Sequence, residues 1–305
     1  METILIAGGT GLIGKHLSSY LKDKGYHVRL LSRNKTKNPT FPTYIWNITT
    51  GYIEKNALKD VSYIINLAGA NIGSKRWTKK RKNEILTSRI ESAHLLFKEV
   101  QRTNTKLKGY ITASAIGFYG ALSTDKIFNE NDKHATDFLG NVCYHWEKAS
   151  NIFEEKKIRT VQIRTGVVFT PTGGALEKMT QPIKLGFGAT LGKGTQYMPW
   201  IHIADLCRLY EFALSNSELK GAYNAVVPSH ITNKEFTQLL AKQLDKRIWL
   251  PNIPSPVLRI LLGEMASIIL YGSRVSSEKI IKMGFNFKYS LLSESLDNLI
   301  LRKES

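Results

Sequence analysis

Gly8, Gly11 and Gly14, within "ILIAGGTGLIG" (residues 4–14), are the first residues whose type and spacing suggest chemistry. The apolar run before them reads as a buried strand that passes through a loop into a helix. Glycine in such a loop permits a tight turn, lets a diphosphate approach the backbone, and lets helix and strand pack closely. The start of the helix adds unpaired amides that carry partial positive charge. This arrangement suits a dinucleotide; the plain alternative is a glycine-rich turn without a ligand.

The end of the second strand selects the dinucleotide. A carboxylate there would accept hydrogen bonds from the adenosine ribose. No Asp or Glu occurs between Asp23 and Glu54, and the strand ends instead in "SRNKTK", which places Ser32, Arg33, Lys35 and Lys37 together. A guanidinium binds phosphate through two parallel hydrogen bonds. The pattern therefore implies NADP(H), the alternative being a solvated basic loop.

The elements that position these residues follow from periodicity. "TILIA" (3–7), "HVRLLSR" (27–33), "SYIINLAGA" (62–70), "YITASAIG" (110–117) and "VQIRTGVVF" (161–169) read as strands. Helices are predicted over 14–25, from about residue 78 to 101, and around "YHWEKASNIFEE". Alternation of this kind argues for an α/β fold, a Rossmann-like doubly wound parallel sheet with helices on both faces. Right-handed crossovers bring the strands' C-terminal ends to one edge, where ligands of such sheets bind. After residue 170 the chain turns Gly- and Pro-rich, and its last third reads as a small C-terminal capping lobe.

Composition bounds the rest. A length of 305 residues with 42% hydrophobic and 22% charged residues is ordinary for a globular protein. The N-terminus lacks a secretion-signal pattern, and the longest apolar stretch is interrupted by Arg259 and Glu264, too soon for a membrane span. Cys143 and Cys207 lack metal-like spacing, and two lone thiols fit a reducing, cytoplasmic setting. No metal is expected. The net charge of +18 peaks in "KRWTKKRK" (75–82), but no nucleic-acid motif accompanies it, so a small-molecule substrate is expected in preference to nucleic acid. Nothing in the pattern fixes an oligomeric state.

The motifs "GGTGLIG", "LLSR", "INLAGANI", "RWTKKRKNEILTSRI", "SAIGFYG", "IRTGVVF" and "PWIHIAD" together resemble the extended and atypical short-chain dehydrogenase/reductases. More narrowly they are similar to the epimerase-like branch, the nucleoside-diphosphate-sugar epimerase or cell-division-inhibitor homologues. The likeness covers essentially the whole chain. It implies an NADP-binding domain over residues 1–170 and 196–228, capped by residues 171–195 and 229–305. It also implies cofactor contacts from Thr10, Gly11, Leu12 and Ile13, from Ser32 and Arg33, and from Leu67, Ala68 and Gly69. Glu84, Arg89 and Val168 would complete the pocket; Glu84 and Arg89 otherwise read as an exposed pair on a charged helix.

Enzymes of this superfamily use a Tyr as proton donor or acceptor, a Lys four residues on, and a Ser or Thr that polarises the substrate oxygen. The lysine is needed because an unperturbed phenol, pKa ~10, is a poor acid–base at neutral pH. "YHWEK" offers Tyr144 and Lys148 literally, with Ser114 on the preceding strand. Aligning Glu147 with the superfamily's usual Glu gives another register. That one puts Leu139 and Cys143 where Tyr and Lys belong, and Ala115 where the serine often stands. Residues 139 and 144 point about 140° apart on a helix, so both registers cannot face one nicotinamide. The first implies an oxidoreductase or epimerase-like enzyme acting on a small polar substrate, nucleotide sugars included. The second suits a non-catalytic NADP(H) sensor or scaffold. In "PWIHIAD", Asp205 is expected to cap the following helix, while Tyr197 and Trp200 face either the cleft or the lobe. Cys143 reads as a small buried residue.

Overall fold

Ile4 and Ile6 pack with one layer of helices while Leu5 and Ala7 pack with the other, so the first strand is buried on both sides. That is the signature of a central strand in a parallel sheet. The computed structural model describes residues 1–35 and 40–301, with side chains through residue 300; Lys37 lies outside the described residues. The chain runs through β1 (Thr3–Ala7), α1 (Leu12–Asp23), β2 (His27–Ser32), β3 (Thr43–Asn47), β4 (Tyr52–Ile53) and β5 (Tyr63–Asn66). Next come α2 (Lys79–Thr103), β6 (Gly109–Ala115), β7 (Ile127–Phe128), α3 (Phe138–Ser150), β8 (Thr160–Thr165) and β9 (Val167–Phe169). The remainder comprises α4 (Gly174–Lys184), β10 (Trp200–His202), α5 (Ile203–Ser215), β11 (Gly221–Ala225) and α6 (Asn233–Gln243). It ends with α7 (Ser255–Leu262), α8 (Ser267–Leu270), β12 (Arg274–Val275), α9 (Glu278–Lys282) and α10 (Leu292–Leu301).

Eight strands form one sheet in the order β11-β8-β6-β5-β1-β2-β3-β4. Every pairing in it is parallel except β3 with β4. Leu17 and Leu21 of α1 join Leu206 and Tyr210 of α5 on one face, with Ile65, Ile111 and Ile163 of the sheet. Leu95, Leu96 and Val100 of α2 cover Ile64 and Tyr110 on the other. The order reverses at β1, which has β2 on one side and β5 on the other, and this opens a crevice at the C-terminal ends of β1 and β5. The Rossmann-like expectation holds.

The stretch 161–169, expected as one strand, is two. A Cβ at Gly166 would lie 2.7 Å from the Pro199 carbonyl oxygen, so the backbone bends there and β9 leaves the sheet to pair with β10. The part of the chain that carries α6–α10 is tied to the sheet's helices by buried groups. Asp205 is fully buried and accepts hydrogen bonds from the amides of Lys288 and Tyr289. Asp205 therefore does not cap α5; His202 does, its Nδ1 accepting from the Ala204 amide. Trp200 is fully buried and stacked on Phe169, so it packs the core and does not face the cleft. Tyr197 carries the Arg274 guanidinium over its ring.

Candidate dinucleotide and active-site cleft

The loop after β1 fits only glycine at two places. Gly8 has φ +81°, and a Cβ on it would come within 2.9 Å of the Leu67 carbonyl carbon and oxygen, so the loops after β1 and β5 touch there. A Cβ on Gly14 would lie 2.3 Å from the Gly8 oxygen, so α1 starts directly against the turn. Gly11 is the N-cap of α1, without a side-chain cap and with no acidic residue in the first turn. The amides of Leu12, Ile13 and Gly14 are the donors that an α-helix leaves without an internal acceptor. Thr10, Gly11 and Leu12 are exposed and Ile13 half-buried, so the turn opens to solvent. Nothing in the cradle supplies negative charge, and its backbone donors fit a diphosphate.

At the end of β2, Ser32 is buried and its hydroxyl accepts from the Asn34 amide, while Arg33 and Lys35 are exposed. Among the described residues no carboxylate is paired with Arg33.

The loop after β5 is held from below. Asn66, fully buried, accepts from the Ala68 amide and donates to Ser92 Oγ and to the Tyr110 hydroxyl oxygen. Ser88 Oγ accepts from the Ala70 amide, and Arg89 Nη1 donates to the carbonyls of Ala70 and Ile85. A Cβ at Gly69 would sit 3.0 Å from the Arg89 guanidinium carbon, which lies 4.7 Å from the Trp146 ring centre. Burial pulls the Arg89 pKa down to about 10, and among the described residues its Nε has no hydrogen-bond partner. The sequence reading missed Asn66, although an Asn at the end of a run of buried apolar residues is itself a signal of a loop being held.

Glu84 does not pair with Arg89. It is exposed and bonded to Arg81 at 2.6 Å, and Arg81 also bonds the Asn71 carbonyl and Ser74. The basic run 75–82 is thus partly used inside the fold. Arg76 donates to the Ile260 carbonyl, and Lys82 pairs with Glu264, so both reach α7 and the turn after it. Val168, on β9, is half-buried and pairs in register with Ile201.

The candidate catalytic residues are separated. Ser114, buried, donates its hydroxyl to Glu147 Oε1 at 2.7 Å, and Glu147 is held by Arg164 through two contacts of 2.8 Å. Arg164 Nη1 donates to the Tyr119 oxygen, and Tyr119 in turn donates to Asn224 Oδ1. Burial, opposed by Arg164, pushes the Tyr119 phenol up to about 12. Tyr144 stacks on His134 with ring centres 4.2 Å apart, and Lys148 is exposed. Among the described residues no hydrogen bond joins Ser114, Tyr144 and Lys148. A Cβ on Gly117, just beyond β6, would instead meet Leu139 Cβ at 3.4 Å and Cys143 Sγ at 3.5 Å. The face of α3 turned toward the end of β6 carries Leu139 and Cys143. Burial pushes the Cys143 thiol up to about 12. Among the described residues no group of three or more His, Cys, Asp or Glu could hold a metal ion, and no helix is long and apolar enough to cross a membrane.

A glycine cradle at the reversal of the strand order is the arrangement found in dinucleotide-binding α/β folds. The sequence model of the NAD dependent epimerase/dehydratase family matches residues 4–226, and the chain belongs to that family. A domain of unknown function, DUF1731, matches residues 253–299. The epimerase family protein YfhF of Bacillus subtilis is 36% identical over 305 residues, covering 99% of each chain. The mouse epimerase family protein SDR39U1 is 32% identical, covering 97% of this chain and 99% of its own. The crystal structure of human SDR39U1 (isoform2) with NADPH superposes with a TM-score of 0.88 at 30% identity, over 97% of this chain and 98% of that one. The UDP-N-acetylglucosamine 4-epimerase of Bacillus cereus, at 17% identity and a TM-score of 0.79 over the full length of both chains, shares the fold.

Proposed function

We propose that this protein binds NADP(H) and is an oxidoreductase of the short-chain type that works without a Tyr–Lys pair on α3. The observation that carries the cofactor is the combination of the Gly8–Gly14 cradle with Arg33 at the end of β2, where a ribose-binding carboxylate would otherwise stand. The crystallised human relative with NADPH supports the same reading. When bound, the cofactor supplies hydride. The amides of Leu12, Ile13 and Gly14 would hold its diphosphate, and Ser32 and Arg33 the 2′-phosphate. Leu67, Ala68 and Gly69 would form the floor, Arg89 would place positive charge beneath it, and Val168 would close the far side. Glu84 stands at the rim through its bond to Arg81.

Calorimetric titration with NADPH and NADH tests this reading. Tighter binding of NADPH by about tenfold or more is expected from one charge-assisted phosphate contact of ~1.5–3 kcal/mol. Equal affinities, or a preference for NADH, would contradict it.

A second reading, a non-catalytic NADP(H) sensor, is favoured by Leu139 and Cys143 facing Gly117. NADPH oxidation with a panel of carbonyl compounds separates the two. Turnover with any of them removes the sensor reading as the sole function.

A further inference from the structure

Beside the end of β6 and the β5–α2 loop, the structure brings apolar groups together. Ala115 ends β6 and Gly117 lies just beyond it, both half-buried, and Leu139 and Cys143 face Gly117 from α3. Ile72 of the β5–α2 loop and Met265 of the lobe pack with Leu139 on the cluster formed by Trp77, Ile85 and Val142. Two hydroxyls next to this patch are engaged, Ser114 on Glu147 and Tyr119 between Arg164 and Asn224, while Tyr144, whose ring packs on the same cluster as Ala115 and Cys143, is turned onto the His134 ring. Of the charged groups around it, Glu147 is bonded to Arg164 behind Ser114, Lys82 to Glu264 at the rim, and Arg89 spends Nη1 on the carbonyls of Ala70 and Ile85.

Two arguments follow from that lining. A nucleotide sugar presents hydroxyls that each need a polar partner, and sites that select such groups are built from hydrogen-bonding side chains. These six residues supply no polar side chain beyond a buried thiol. Secondly, reduction of a simple ketone produces a strongly basic alkoxide and calls for a positioned acid. A quinone does not, because its two-electron product is a phenolate whose conjugate acid has a pKa of only ~10, and water protonates it.

Resting on the oxidoreductase reading above, we propose that this end of the cleft takes a flat, apolar carbonyl compound of the quinone class. In balance, the C–H bond of the reduced nicotinamide breaks and two electrons pass with its hydrogen to the quinone as hydride. Water supplies one proton, and the products are NADP+ and the hydroquinone. Met265, unbranched and polarisable, suits the face of a conjugated ring. The substrate so assigned is apolar, unlike the small polar one expected from sequence resemblance.

The test begins with NADPH affinity, which belongs to the oxidoreductase reading and is measured first. The full-length protein saturated with NADP+ is then titrated calorimetrically with duroquinone and, separately, with UDP-glucose, so that no turnover occurs. Duroquinone is expected to bind saturably and UDP-glucose not at all. Met265→Gln is expected to weaken duroquinone about tenfold while leaving NADPH affinity unchanged. Leu139→Asn serves the same purpose if Met265→Gln fails to bind NADPH. With NADPH binding intact, absence of duroquinone binding, saturable UDP-glucose binding, or duroquinone affinity untouched by the substitutions overturns the quinone assignment alone. Failure of the wild-type protein to bind NADPH overturns both readings.

Discussion

Ser114, Glu147 and Arg164 form a buried chain in which a hydroxyl and two planar charged groups satisfy one another. An Arg–carboxylate pair with two parallel contacts has good geometry, but both ions have left water, and removing one partner strands the other. Arg164→Met should therefore destabilise the fold by about 3–5 kcal/mol, read as a lowered midpoint in urea unfolding. Adding Glu147→Leu should recover part of that loss. A lower midpoint in the double variant than in Arg164→Met would show that the pair is not coupled in this way. The same scale sets thiol reactivity. Burial raises Cys143 and Cys207 each to about 12. Thiolate therefore forms far less readily than in an exposed cysteine. Labelling with a thiol reagent at pH 8 should be slow in the native protein and fast after denaturation. Equal rates would place one of the thiols at the surface.

At the scale of elements, the strand–loop–helix unit β1–α1 was legible because its determinants are local. Gly8, Gly11 and Gly14 have meaning from spacing alone, and the strand before them is apolar from Ile4 to Ala7. Gly14→Ala should place a methyl group against the Gly8 carbonyl, cost about 1–3 kcal/mol of stability, and weaken NADPH by at least about tenfold. Unchanged NADPH affinity would argue that α1 does not form the cradle. Helix α3 shows what local reading cannot reach. Tyr144 and Lys148 have the right spacing in sequence, but only the packing of α3 on β6 reveals that Leu139 and Cys143 face Gly117 while Tyr144 stacks on His134. Tyr144→Phe is accordingly expected to leave NADPH-dependent turnover within about twofold; near-complete loss would return the tyrosine to the chemistry. His202 was overlooked as the cap of α5 because the preference for Asp at such positions is only statistical, and the Lys288 and Tyr289 amides claimed Asp205 first. β3, with "TYIWN", was not anticipated; a five-residue edge-proximal strand between basic and turn-rich segments has little periodicity of its own.

Across the whole molecule, the doubly wound order emerged from the alternation of strands and helices, since crossover handedness leaves few other topologies. The last third of the chain was legible only as a change of rhythm, because its placement depends on contacts as far apart in sequence as Arg76 and Ile260, 184 residues. Arg76 with the Ile260 carbonyl, and Lys82 with Glu264, clasp it to the start of α2 across the cleft. Glu264→Gln combined with Arg76→Ala should raise amide hydrogen exchange in residues 253–270, with β1 unaffected. Equal protection in that segment would mean the clasp contributes nothing. Part of the large positive charge is thereby occupied within the fold, and Arg33 stands apart from that group at the other end of the crevice. The most direct measurement is the affinity of wild-type protein and Arg33→Ala for NADPH and NADH under the same ionic strength. The account predicts that the substitution weakens NADPH by about ten- to hundredfold and leaves NADH nearly unchanged. A loss of the same size for both nucleotides, or none for NADPH, would contradict it.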